Sequence, residues 1–203
     1  MKVTKHISRK QAANLRPAIE LAEKLKTPLN QMVSINLGLV DLKIDPWEVS
    51  SAFAMLRTQR FGPWIRRPGL DRIGLASTFA WVIENKSGTP HLHWLLHVPA
   101  SRLDAYKAKL RGWVEECFGP VLASRAIHVQ EAYNPYGCRL YFLKGMDPLY
   151  APFYRVVPED QGTVLGKRFG VSQNLGPSQT RKHGTRRRWR PYAMMNAAFA
   201  SPA

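Results

Sequence analysis

Between residues 8 and 26, apolar side chains recur at Leu15, Ala18, Ile19, Ala22 and Leu25. Steps of three and four place them on one face of an α-helix. Pro17 falls inside this span, so the helix is expected to kink there or to start there. Residues 30–40 (NQMVSINLGLV) alternate in part and predict a strand. Pro46 and Trp47 open a predicted helix to about Arg60, with Val49, Phe53 and Leu56 on one face. Residues 76–84 (ASTFAWVIE) and 91–98 (HLHWLLHV) read as two strands joined by a polar turn at 85–90, a hairpin. Ser101 suits an N-cap, with Asp104 in the first turn of a helix to about Phe118. Residues 125–131 predict another strand. Residues 137–146 predict a last helix, closed by Asp147-Pro148.

The order is a helix, then βαββαβ, then a helix. It predicts an α+β fold: an antiparallel sheet of about five strands, with an RRM/ferredoxin-like core and helices packed on one face. The chain has 203 residues, 45% of them hydrophobic. That is enough for one packed domain and excludes wholesale disorder. No apolar run approaches the ~20 residues of a membrane span, and the basic N-terminus has no apolar segment behind it to make a secretory signal. Cys117 and Cys138 cannot build a disulfide framework, so a reducing, cytoplasmic setting is expected.

Charge changes the picture. Thirty Lys and Arg face fourteen Asp and Glu, a net of +16. Such an excess costs self-repulsion in the folded state and suits a polyanionic partner, nucleic acid first. From Gln161 to Ala203 there are eight basic residues and no acid, which is half the net charge. Residues 1–160 are therefore expected to form the domain, and 161–203 a basic C-terminal extension.

The chemistry concentrates in the hairpin, at Glu84-x6-His91-Leu92-His93. Strand side chains alternate, so His91 and His93 share a face, roughly 7 Å apart. Leu92, Trp94, Leu96 and Val98 take the other face and the core. The turn brings Glu84 back beside the two imidazoles. One carboxylate and two imidazoles on an exposed sheet face suit Mn²⁺, Mg²⁺ or Zn²⁺. His97 lies roughly 13 Å from His93, too far to share an ion. It is expected to touch DNA or simply to face solvent.

The second concentration is Tyr141-Phe142-Leu143-Lys144. On a helix, Tyr141 and Lys144 share a face. A free tyrosine, with a pKa near 10, is a poor nucleophile at neutral pH. A lysine beside it improves it.

Together, Pro90-His-Leu-His-Trp94 and Tyr141-x-x-Lys144 resemble the metal and tyrosine motifs of HUH endonucleases, the rolling-circle replication initiators, relaxases and related transposases. The resemblance covers roughly residues 30–150 and favours a single-tyrosine initiator of a plasmid or phage, because Gly145 stands where YxxxY enzymes carry a second tyrosine. It implies sequence-specific, metal-dependent nicking and rejoining of single-stranded or hairpin origin DNA. Glu84, His91 and His93 would hold the metal, Tyr141 would form a 5′-phosphotyrosine, and Lys144 would assist. A helicase domain is not expected in this length, so a host helicase and polymerase would be partners. Arg57, Arg60, Arg66, Arg67 and Arg72, with Lys167, Arg168, Arg186, Arg187 and Arg188 of the extension, would contact phosphates.

Two rival readings stand beside this one. His91-x-His93 followed by Ser101-x-x-Asp104 resembles the zinc motif of JAMM isopeptidases, although Trp94 and Leu92 depart from it. A basic RRM-like protein that only binds nucleic acid would need aromatic side chains on its open sheet face.

Overall fold

Ser8 fixes the start of the first helix. Its hydroxyl accepts from the Gln11 N–H, and the Gln11 side chain accepts from the Ser8 N–H. This capping box satisfies two donors that a helix start leaves open. α1 (Arg9–Lys24) then runs through Pro17, so the proline neither starts nor ends it. The structure, a computed structural model, describes residues 2–68 and 74–185.

The elements between residues 31 and 143 follow the sequence reading closely, whereas those at residues 3–4 and 164–182 are not expected from it. The strands are β1 (Val3–Thr4), β2 (Gln31–Asn36), β3 (Phe79–Glu84), β4 (His91–Leu96), β5 (Ile127–Glu131), β6 (Val164–Leu165) and β7 (Phe169–Val171). The helices after α1 are α2 (Val49–Met55), α3 (Gly62–Arg66), α4 (Leu103–Phe118), α5 (Pro135–Leu143) and α6 (Pro177–Lys182). α2 and α3 are joined without a break by a π-helical segment, Leu56–Phe61. None of the described helices is long and apolar enough to cross a membrane.

Five strands form an antiparallel sheet in the order β5-β2-β4-β3-β7. Without β7, this is the strand order of a ferredoxin-like βαββαβ unit. α2, α3 and α4 pack on one face, where Val33, Ile35, Trp81, Ile83, Leu92, Trp94 and Leu96 meet Phe53, Phe61, Tyr106 and Val114. Trp94 is the centre of this core. Its ring meets Phe61 at 4.9 Å and Phe53 and Phe79 at 5.9 Å, all edge-on.

Three expectations need correction. The expected helix layer lies on one face, but α1 and α5 cover the second face as well. There Leu15, Ile19, Phe142 and Leu143 pack on Met32, Val82 and Leu95. Ser101 is not the N-cap of α4: it lies inside a 3₁₀ turn, Ala100–Arg102, and Arg102 is the capping residue. Residue 160 is not an edge of the folded unit. β6 pairs with β1, and β7 adds the fifth strand against β3. Gly162 makes this return possible. It has φ +65, and a Cβ there would collide with the Asn85 carbonyl.

Candidate active site

β4 alternates as its sequence requires. Leu92, Trp94 and Leu96 enter the α2–α4 core, while Leu95 joins the α1/α5 core. His91 and His93 share the α1/α5 side. Across the ladder His91 pairs with Glu84 on one side and Asn36 on the other, and His93 pairs with Val82 and Ser34. The hairpin therefore sets the carboxylate and the two imidazoles together, with the two rings 6.5 Å apart. The face is not open: Glu84 and His93 are buried, and His91 is half-buried.

α5 brings the tyrosine. Asn134 caps it by accepting from the Gly137 N–H, and Pro135 fits its first turn. Phe142 and Leu143 bury against the sheet and turn Tyr141 and Lys144 to the site. Lys144 caps the helix C-terminus, its N–H donating to the Tyr141 carbonyl. The Tyr141 hydroxyl lies 2.9 Å from His93 Nε2. Lys144 Nζ lies 3.0 Å from Glu84 Oε2 and 4.1 Å from the centre of the Tyr141 ring. Glu84 Oε2 lies 3.4 Å from His93 Nε2, and Ser34 Oγ lies 3.0 Å from His93 Nδ1.

The charges follow from this packing. Burial pushes the Glu84 carboxyl up, but hydrogen bonds and charges from His93 and Lys144 outweigh it and hold it below its ordinary value. Burial pulls the Lys144 ammonium down, and its bond to Glu84 more than restores it, leaving it raised. Tyr141 is raised by burial and by the Glu84 charge, against the opposing pull of Lys144. His91 is lowered by burial and by His93, with Glu84 opposing.

These directions predict a pH signature. Lys144→Met is expected to cost about 1–3 kcal/mol at neutral pH, because Glu84 loses its charged partner while still buried. The contribution of a depressed carboxyl is complete above its ordinary value of 4.5 and disappears as pH falls through its lower folded value. The deficit of the variant should therefore shrink in acid. Denaturant titrations from about pH 7 to about pH 3 read this directly. A deficit that stays constant over that range would contradict the pairing.

The donor set suits a divalent cation in its chemistry. Glu84 Oε1 is buried and has no hydrogen-bond partner among the described residues, so one carboxylate oxygen is left unspent. The Ser34 contact on His93 Nδ1 is the kind that orients a metal-binding imidazole. The three side chains are not already set as a cage: among the described residues no three acidic, histidine or cysteine side chains are arranged to hold an ion. Here Tyr141 and Glu84 occupy His93 Nε2, and Lys144 occupies Glu84 Oε2.

A cavity of about 350 Å³ opens over these groups, lined also by Lys86, Glu159 and Gln161. None of these three carries a local sequence signal. The Glu159 N–H donates to the Lys144 carbonyl, so a segment distant in sequence closes the site.

The basic residues divide. Arg57 is buried, with its guanidinium 4.0 Å from the Trp81 ring centre and its Nε donating to the Phe53 carbonyl. Arg168 is fully buried and donates to the carbonyls of Lys5, Gln161 and Gly162. His97 is buried, with Nδ1 2.8 Å from the Pro28 carbonyl. Arg168 and His97 hold the fold and are not placed to touch a DNA backbone, which corrects the expectation for both, while Arg57 lies toward the other end of β3, away from this cavity. Arg60 pairs with Glu116 at 2.6 Å. Arg66, Arg67 and Lys167 are exposed. Lys167 precedes β7 at the Glu84 end of β3, where the Ile83 N–H donates to the Arg168 carbonyl. Arg72, Arg186, Arg187 and Arg188 lie outside the described residues.

The rival readings lose their geometry. Asp104 lies on α4, packed on the opposite side of the sheet from His91 and His93, so Ser101 and Asp104 cannot complete a zinc site with them. The face an RRM would present to RNA lies under α1 and α5. Of the other tyrosines nearby, Tyr136 turns away and donates to Glu23 on α1 at 2.9 Å. No protein-family model matches the chain, and no curated protein matches it.

Proposed function

We propose that the protein is a single-tyrosine endonuclease of the HUH type, which nicks and rejoins single-stranded or hairpin origin DNA to initiate rolling-circle replication of a plasmid or phage. One observation carries this reading: α5 delivers the Tyr141 hydroxyl to 2.9 Å from His93 Nε2, beside the Glu84–Lys144 pair. Two motifs about fifty residues apart meet at one polar cavity in a strongly basic protein.

In the proposed reaction Tyr141 Oη attacks the scissile phosphorus. The Oη–P bond forms and the P–O3′ bond breaks. The phenol proton ends on the departing oxygen, so the products are a 5′-phosphotyrosine and a free 3′-OH. Attack by a DNA 3′-OH reverses the step and rejoins the strand. Lys144 Nζ, held by Glu84, places positive charge where the phenolate and the phosphoryl oxygens develop negative charge. Glu84, His91 and His93 would hold a divalent cation (Mn²⁺ or Mg²⁺, or else Zn²⁺), which when bound supplies further positive charge to the phosphate. Lys86 at the cavity wall and exposed Lys167 would meet the flanking backbone. A host helicase would open the duplex and a host polymerase extend the 3′-OH, in the cytoplasm at the plasmid or nucleoid.

Incubation with Mn²⁺ and a diverse pool of single-stranded DNA should give a slow-migrating adduct on a denaturing gel. EDTA and His91→Ala should each suppress it. Tight, salt-sensitive binding with no adduct across the pool would favour a protein that only binds nucleic acid.

A further inference from the structure

The end of β3 away from Glu84 carries a second polar cavity. Phe79 marks it, roughly 17 Å along the strand from the carboxylate. Its volume is about 450 Å³, the size of a small-molecule site. Arg57, Thr58, Arg66, Ser77, Gln173 and Asn174 supply its polar wall, and none of the lining residues is acidic.

The backbone is shaped to form it. The π-helical segment Leu56–Phe61 widens the helix by one residue, and the Gly62 N–H reaches the Arg57 carbonyl. Wide turns of this kind occur often at functional sites. This one carries Arg57 and Thr58 to the cavity. The Arg57 guanidinium is clamped by the Trp81 and Phe53 rings, at 4.0 and 4.7 Å. Burial pulls it down to about 9, which still leaves it charged at neutral pH. Among the described residues no carboxylate forms an ion pair with Arg57 or Arg66.

Two further groups point to a ligand. Ser77 Oγ and Asn174 Oδ1 are buried and have no hydrogen-bond partner among the described residues. The Asn174 amide is fixed by its own Nδ2, which donates to Thr78 Oγ1 at 2.8 Å. Its oxygen is thereby set as an acceptor with no donor among the described residues. A wall with two cations, a hydroxyl and one free acceptor matches a molecule with an anionic group and an N–H or O–H donor.

We propose that this cavity binds a nucleotide unit, with its phosphate on Arg57, Arg66 and the Ser77 hydroxyl, and a donor of its base or sugar on Asn174 Oδ1. The unit comes either from a DNA single strand or from a free nucleotide. This site is separate from the tyrosine chemistry and does not depend on it.

Titration of the full chain with a deoxynucleoside 5′-monophosphate, and separately with a short single-stranded oligonucleotide, tests the assignment. Arg66 and Thr58 are exposed, so Arg66→Ala and Thr58→Glu should stay folded, which thermal melting checks. At least one ligand should bind, and each substitution should weaken it roughly tenfold or more, the worth of a charged hydrogen bond. Tyr141→Phe should leave that binding unchanged. Loss in the oligonucleotide arm assigns the site to a DNA strand, and loss confined to the monophosphate assigns it to a free nucleotide. Absence of binding in both arms, or binding indifferent to both substitutions, would overturn the proposal, whether or not the protein nicks DNA.

Discussion

Tyr141→Phe is expected to remove strand cleavage while leaving the protein folded. The substitution deletes one oxygen and keeps the ring that packs edge-on against His93, at 4.8 Å between centres. Tyr141 is 41% exposed, so the lost hydrogen bond to His93 should cost no more than about 1 kcal/mol. The neighbouring Tyr136 offers no second route. Tyr136 is committed to Glu23, and burial, together with that contact, pushes its phenol up to about 12. Loss of a nucleophile costs on the order of 10⁴–10⁶ in rate in enzymes where the comparison is clean. Rates of oligonucleotide cleavage, set beside a urea titration of the same variant, separate the two effects. A variant that unfolds, or one that cleaves within tenfold of the parent, would contradict the assignment.

The largest effect on stability is expected at Trp94. It is fully buried on the α2–α4 side of the sheet, with Phe53, Phe61 and Phe79 edge-on around it. Its indole N–H has no hydrogen-bond partner among the described residues, so its contribution is packing. Trp94→Ala removes that contact and leaves a hole the neighbouring rings cannot fill, at about 3–5 kcal/mol. Domains of this size are stable by only about 5–15 kcal/mol. The variant should therefore lose a large part of its stability, read as a lower urea midpoint at an unchanged slope. Trp94→Phe should recover much of the loss. A midpoint shift worth less than about 1 kcal/mol for the alanine variant would mean that the ring cluster does not support the fold.

The legible parts of this protein are those encoded by short periods. Alternation along 91–96 separates His91 and His93 from Leu92, Trp94 and Leu96, and the structure keeps that separation. The three-residue step from Tyr141 to Lys144 survives because Lys144 stays helical at the C-cap. What escaped the reading depends on distant parts of the chain. β7 is three residues long and gains strand character only by pairing with β3. Glu159 and Gln161 reach the site through a segment with no period of its own. Ser34 needs the β2–β4 register before its contact with His93 exists. The basic residues show the same limit. Composition counts Arg57 and Arg168 with the surface charge, yet both are buried, one on aromatic rings and one on backbone carbonyls. The second helical layer escaped for a related reason. α1 and α5 are amphipathic either way, and only the two-sided burial of the sheet shows that they cover the face that carries the histidines.

The most direct test of the central claim is the identity of the residue that becomes bound to DNA. After reaction with single-stranded DNA and Mn²⁺, nuclease trimming and proteolysis leave a nucleotide remnant on one peptide, which tandem mass spectrometry can locate. The account predicts that remnant on Tyr141, as a phosphodiester at a 5′ end. A remnant on Tyr133, Tyr136 or any residue outside the Glu84–His93–Lys144 cluster would contradict it.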